Sequence, residues 1–185
     1  MILPNQTIQP CGGLTGVIAC PTSRNPPSPT ARCRVDALEF SDRLRRALSH
    51  AREEAARLQH EHVGTEHLLI ALLNDTGRDA GEPNSLASVV LDVLGVDRAK
   101  MKEVLEQTVL RGRVPTSDDQ LTYTSRAKAV LELAMAEARV SKAGTVDTQH
   151  LLLGLLREER GIAAQVLLDF GVTVDKTRAE LDKLG

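Results

Sequence analysis

The sequence predicts an all-α protein, a pseudo-twofold pair of four-helix repeats behind a disordered N-terminal tail. Three observations carry this reading. Aromatic residues make up 2% of the 185-residue chain and tryptophan is absent, a poor supply for a β-sandwich or barrel, whose strands draw on aromatic and β-branched side chains. Apolar residues recur at three- and four-residue steps, the spacing that lines one face of a helix. The long segment after residue 37 also repeats itself in register.

The first 35 residues differ in kind from the rest. They hold no Asp or Glu, three arginines (Arg24, Arg32, Arg34), all three cysteines and six of the eight prolines. Such a stretch cannot bury enough apolar surface to offset its ordering entropy. Residues 1–37 are therefore expected to be disordered, or to be an extension from a misplaced start. A transit peptide would need an amphipathic, Arg-rich helix, and a lipoprotein-type signal ending at Cys20 would need a basic residue before its apolar run. Cys11, Cys20 and Cys33 form no C-x-x-C pair, so neither a disulfide framework nor a cysteine zinc site is expected, which fits a cytoplasmic location. No stretch approaches eighteen consecutive apolar residues, so no membrane span is expected.

From residue 38 the elements follow in order. Repeat one covers 38–111, a linker 112–121 and repeat two 122–185. Phe40-Ser-Asp-Arg aligns with Tyr123-Thr-Ser-Arg at an offset of 83, which continues through Val63 with Val146 and Thr65 with Thr148 to His67-Leu68-Leu69 with His150-Leu151-Leu152. Farther on the offset falls to 76, pairing Gly95-Val96 with Gly171-Val172. The difference is a seven-residue insertion within Asn74–Ser85, whose Gly, Pro, Asp and Asn content marks a surface loop. The first helix is placed near 42–59, where Leu44, Leu48, Ala51, Ala55 and Leu58 share a face. Ser41 and, in repeat two, Thr124 are its expected N-caps. Short, almost wholly apolar helices follow at 66–73 and 149–157, suited to the buried centre. Helices at 86–94 and 161–169 end at Gly95 and Gly171, expected C′ glycines, and the last helices span 98–110 and 175–184. Two copies are too few for a solenoid and imply a pseudo-symmetric pair.

Several function classes drop out. The formal net charge is −2, and the portion from Val35 onward holds 20 basic against 25 acidic residues, so nothing draws the chain to nucleic acid or to an anionic membrane. No phosphate-binding G-x-x-x-x-G-K-[ST] or G-x-G-x-x-G loop occurs, and no nucleophile elbow. The chain is expected to be no enzyme, with no catalytic residues and no cofactor. His60, His62 and His67 invite a metal reading, but only Glu61 or Glu66 could complete a zinc shell without cysteine; packing or capping roles are preferred and no metal is assigned.

The repeated motifs carry a family resemblance. The helix ending Glu54-Ala-Ala-Arg-Leu58, followed by Gln59-His-Glu-His-Val-Gly-Thr-Glu-His-Leu-Leu69, resembles the double-repeat N-terminal domain of ClpA/ClpC-type AAA+ unfoldases, nearest the ClpC branch. Repeat two adds Arg126-Ala-Lys-Ala-Val-Leu-Glu-Leu-Ala134 and Leu153-Gly-Leu-Leu-Arg-Glu-Glu-Arg-Gly-Ile-Ala-Ala-Gln-Val-Leu167, so the likeness covers Leu38 to Gly185. It implies an eight-helix, non-catalytic module that docks substrates or adaptors, including phosphoarginine-marked proteins, for an AAA+ unfoldase feeding a peptidase. The implied partners are Clp unfoldase or peptidase subunits, substrates and adaptors. Two alternatives stay open: the front end of a ClpC-type ATP-binding subunit, and a helical regulatory protein unrelated to proteolysis.

With that ligand in view, Thr65 is expected to N-cap the second helix, with Glu66 in its first turn. A helix N-terminus suits a phosphate, and a carboxylate beside it suits a guanidinium. The matching pair in repeat two is Thr148 and Gln149; there the charge is lost, and Asp147 replaces Gly64 and would repel a phosphate. At most one competent site is expected, in repeat one. Phe40, Tyr123 and Lys128 are the candidates for an adaptor or peptide groove between the repeats, with stapling of their own helices to the core the alternative role for Phe40 and Tyr123.

Overall fold

A computed structural model describes residues 38–75, 84–109, 111–112 and 121–184. The expected disorder of residues 1–37, most of the insertion loop and most of the linker lie outside these. The described residues form eight α-helices. Repeat one contributes α1 (Asp42–Arg57), α2 (Thr65–Asn74), α3 (Leu86–Val93) and α4 (Arg98–Thr108). Repeat two contributes α5 (Ser125–Val140), α6 (Thr148–Arg157), α7 (Ile162–Asp169) and α8 (Val174–Leu184). The all-α expectation holds, with every helix near its predicted place.

The ends of the helices show why they start and stop there. The Ser41 hydroxyl accepts from the Leu44 backbone N–H and the Thr124 hydroxyl from that of Ala127, so both predicted caps form. Gly95 and Gly171 close α3 and α7 with φ of +73° and +77°, the left-handed conformation glycine adopts at little cost. At the ends of α1 and α5 the same conformation falls on Gln59 and Lys142, equivalent positions without a glycine to announce them.

The core is centred on α2 and α6. Leu68 through Leu73 and Leu151 through Leu156 are all buried, around the helix as well as along it, which is what a helix surrounded by others requires. Gly154 has a packing reason of its own. A Cβ there would stand 2.6 Å from the Val130 carbonyl oxygen, so its absence lets α6 settle against the backbone of α5. The third helices bridge the repeats: α3 packs on α6 and α8 as well as on α2, and α7 packs on α2 and α4 as well as on α6.

Four two-residue strands, which sequence patterning did not anticipate, join the repeats. They are β1 (Glu39–Phe40), β2 (His62–Val63), β3 (Thr122–Tyr123) and β4 (Thr145–Val146). β1 pairs in parallel with β4, setting Phe40 opposite Val146, and β2 with β3, setting Val63 opposite Tyr123. Each pairing thus joins the lead-in to one repeat's first helix with the segment before the other repeat's second helix. Ser41 adds a side-chain bond across the same seam, donating to Asp147 Oδ1 at 2.9 Å.

Candidate functional site

Glu66 lies at the second position of α2, one residue later than a Thr65 cap would place it. The N-cap is Gly64, and Thr65 is the first helical residue. A glycine has no side chain with which to cap, and His67 supplies the closure instead: its Nδ1 accepts from the Gly64 N–H at 2.9 Å. In repeat two Asp147 is the cap, its carboxylate accepting from the Thr148 N–H at 2.7 Å, while His150 Nδ1 accepts from the Asp147 N–H at 3.0 Å. His67 and His150 are therefore capping residues, each buried at the third helical position.

The two threonines do not reach solvent. Thr65 is 4% exposed and Thr148 1%. Thr65 faces the α6–α7 turn, where its Oγ1 and a carboxylate oxygen of Glu158 both lie within 3 Å of the point a Cβ on Gly161 would occupy. The Thr65 hydroxyl donates to Glu66 Oε2 at 3.5 Å, whereas the Thr148 hydroxyl is buried without a partner; the residues that follow them, Glu66 and Gln149, line open clefts.

The Glu66 cleft, about 560 Å³, is walled by Gln59, His60, Glu61, His62, Gly112 and Thr124 besides Glu66 itself. Its floor is held by close backbone packing: the Gly112 N–H donates to the Leu58 carbonyl at 2.8 Å. Thr124, which caps the N-terminus of α5, lines the same cleft, and Lys128 is exposed one turn further along that helix. Glu66 and Thr124 are 58 positions apart in sequence and meet because β2 pairs with β3. The cleft thus holds both a carboxylate and the N-cap of a helix, the positive end of its dipole. Glu66 folds back over its own cap, its carboxylate lying 2.3–2.6 Å from where a Gly64 Cβ would be. Glycine at position 64 therefore makes room for the carboxylate.

The Gln149 cleft, about 520 Å³, has different chemistry. It is largely apolar, with Leu86, Val140, Leu153 and Leu181 on its walls and Arg178 and Asp182 at its edge. Gln149 Oε1 is buried there without a hydrogen-bond partner. Glu137, 3% exposed, is held by Arg157 and by both oxygens to Arg178. Burial alone would raise its carboxyl pKa; the two guanidinium groups overcome that and hold it below the usual glutamate range. The helix start that would meet a phosphate is already filled by Asp147. Phe40 and Tyr123 are half-buried against the core, and Arg52 stacks over the Tyr123 ring at 5.3 Å.

His60, Glu66 and His67 each place one potential ligand atom within 4.8 Å of the others. Because His67 Nδ1 accepts from Gly64, its Nε2 must carry the proton, which goes to His60 Nδ1 at 2.8 Å. His67 thus has no lone pair left for a cation in this arrangement. Among the described residues no helix is long and apolar enough to cross a membrane.

Among the described residues the geometry defines a duplicated helical module with an acidic, histidine-lined cleft and a largely apolar one. The sequence model of the Clp repeat (R) N-terminal domain family matches residues 39–142 and 122–184, and the chain belongs to that family. It is 40% identical over 144 residues to the ATP-dependent Clp protease ATP-binding subunit ClpC of Staphylococcus saprophyticus, a match covering 78% of this chain and 16% of that protein. The same figures hold for ClpC of Staphylococcus aureus strain USA300. Among solved structures, the N-terminal domain of the chaperone ClpD from Arabidopsis thaliana is similar, with TM-score 0.59 and 25% identity over 80% of this chain and 98% of that one. The ClpV N-domain in complex with a VipB peptide shares the fold, with TM-score 0.61 and 19% identity over 74% of this chain and 81% of that one.

Proposed function

We propose that the chain is a non-catalytic, cytoplasmic protein-binding module that docks substrates or adaptors for a Clp-type AAA+ unfoldase, and that the Glu66 cleft recognises phosphoarginine. The chain spans 16% of the length of the ClpC proteins it matches, so their ATPase activity and partners extend to it only as part of this proposal. One observation supports the ligand assignment: Glu66 and Thr124, the N-cap of α5, line the same cleft. Phosphoarginine has a guanidinium and a phosphate on one side chain. The carboxylate suits the first through a charge-assisted pair; the Thr124 cap, the free N–H groups of α5 and Lys128 suit the second. The helix start that carries Glu66 is not itself the phosphate site in this reading.

Repeat two supports a single site, since Gln149 is neutral and Asp147 occupies its helix start. Calorimetry with a phosphoarginine peptide tests the assignment. Saturable binding that Glu66→Ala weakens by at least tenfold is expected, with Gln149→Ala changing it less than twofold. No binding, or binding indifferent to Glu66→Ala, overturns the ligand. Affinity capture from native cytosol tests the wider role, and Clp subunits absent from the captured material count against it.

A further inference from the structure

The Gln149 cleft takes no part in the phosphoarginine reading, yet it carries unmet chemistry of its own. Leu86, Val140, Leu153 and Leu181 form its apolar wall, and two of them are open to solvent, Val140 74% exposed and Leu86 40%. Gln149 Oε1 is buried there with no donor, and an acceptor left alone in that way costs free energy that an incoming N–H recovers. The neutral polar side chains beside it satisfy each other, His150 Nε2 meeting Ser141 Oγ at 3.1 Å.

Charge is gathered along the same wall. Glu137 draws two guanidinium groups onto one carboxylate, Arg157 through Nη1 and Arg178 through Nη2. Arg178 lines the cleft; Arg157 does not, but shares its carboxylate. Two cations thus meet one anion, and both arginine side chains stay open to solvent, 39% and 47% exposed. Their remaining N–H groups meet no acceptor among the described residues. Asp182 is the exposed negative charge at the edge.

We propose that the Gln149 cleft docks the C-terminus of a partner polypeptide whose last side chain is apolar. The side chain packs on the leucines and Val140, the last backbone N–H donates to Gln149 Oε1, and the terminal carboxylate pairs with the free N–H groups of Arg178. A final residue presents an apolar group, an N–H and a carboxylate on adjacent atoms, which is the set this cleft leaves unmatched. An internal acidic residue would bring its own charged side chain to an apolar wall, and a peptide N-terminus would bring an ammonium toward Arg178. Asp182 opposes the carboxylate and holds the affinity down. The proposal goes beyond the phosphoarginine reading and does not depend on it.

The test titrates the whole chain with an acetylated Gly-Ser-Gly-Ser-Leu peptide, once with a free C-terminal carboxylate and once amidated, followed by nitrogen-15 NMR. The free acid is expected to shift the Gln149 side-chain amide and the Arg178 Nε–H saturably. The amidated peptide should bind about tenfold more weakly or worse, as loss of a charge-assisted bond implies. Gln149→Met, which keeps the length and loses the acceptor, should weaken the acid about threefold or more, while Asp182→Asn should strengthen it about twofold. No saturable shift, acid and amide bound equally, or binding indifferent to Gln149→Met overturns the proposal. Equal binding is the result for an internal segment as occupant. Preference for the unacetylated peptide, weakened by Asp182→Asn, is the result for an N-terminus. A second copy of the chain in the cleft would move the same resonances on dilution with no peptide present. Each of these three outcomes also overturns it.

Discussion

Gly161 of repeat two abuts Thr65 of repeat one so closely that a Cβ on residue 161 would lie 2.8 Å from Thr65 Oγ1 and 3.2 Å from its Cγ2. Thr65 therefore belongs to the seam between repeats, and its hydroxyl also donates to Glu66 Oε2 at 3.5 Å. Thr65→Ala is expected to lower stability by about 1 kcal/mol, as loss of buried contacts does. Its affinity for a phosphoarginine peptide at saturating fold should stay within about twofold. Chemical denaturation and calorimetry on the same sample separate the two effects.

Gly64 separates the repeats more sharply. Its backbone is extended (φ −96°, ψ −178°), as is that of its counterpart Asp147 (φ −125°, ψ −179°), so the conformation suits any residue. What an aspartate would displace is the Glu66 carboxylate folded over it. Gly64→Asp should retain the fold, as repeat two does with Asp147, while losing ligand affinity by about tenfold or more through like-charge repulsion. Retained affinity, measured by calorimetry, would count against Glu66 as the guanidinium partner.

At Gly154 the obstacle is backbone. An added Cβ would meet the Val130 carbonyl oxygen at 2.6 Å and the Ala134 nitrogen at 3.1 Å, atoms that move only if α5 moves. Gly154→Ala should cost about 1–3 kcal/mol by overpacking, in spite of alanine's better helix propensity. A thermal melt followed by circular dichroism is expected to show a midpoint several degrees lower.

Two buried groups set the acid side of the stability profile. His67 has its pKa lowered from 6.5 to about 4, by burial first and then by His60 beside it. The unfolded chain takes up that proton more readily, so the stability from keeping His67 neutral is complete above pH 6.5 and drains away as pH falls toward 4. Glu137, held low by Arg178 and Arg157 against the opposing effect of burial, contributes above the ordinary glutamate range and loses its contribution as pH falls through its depressed pKa. Urea titrations between pH 7.5 and 4 should show His67→Asn less stable at the upper end and flatter across the interval. Glu137→Gln should cost about 1–3 kcal/mol at neutral pH, a difference that shrinks once the native glutamate is protonated.

Helix positions, the Ser41 and Thr124 caps and the two closing glycines were legible because each rests on contacts within a few residues. The expected cap of α2, Thr65, lies one residue beyond the actual cap, Gly64, for a physical reason. A hydroxyl side chain is a usual signal, and Thr65 offered it, while the closure of α2 comes from the imidazole of His67 at the third helical position; in α6 the Asp147 carboxylate caps together with His150. The recurrence of His67 and His150 behind Gly64 and Asp147 was the available clue. Two-residue strands carry no alternation to detect. The cleft shared by Glu66 and Thr124 depends wholly on one of those strands, so half the candidate site was invisible to spacing along the chain.

The crossed strands have a consequence for how the domain is assembled. A solitary repeat already contains both halves of the interaction, since β1 corresponds to β3 and β2 to β4. Two separate copies could therefore build the same joint by association, at a strength set by their concentration. Fusing them in one polypeptide makes the joint intramolecular and indifferent to dilution. It also lets the halves differ, as the acidic cleft beside one helix start and the apolar cleft beside the other do.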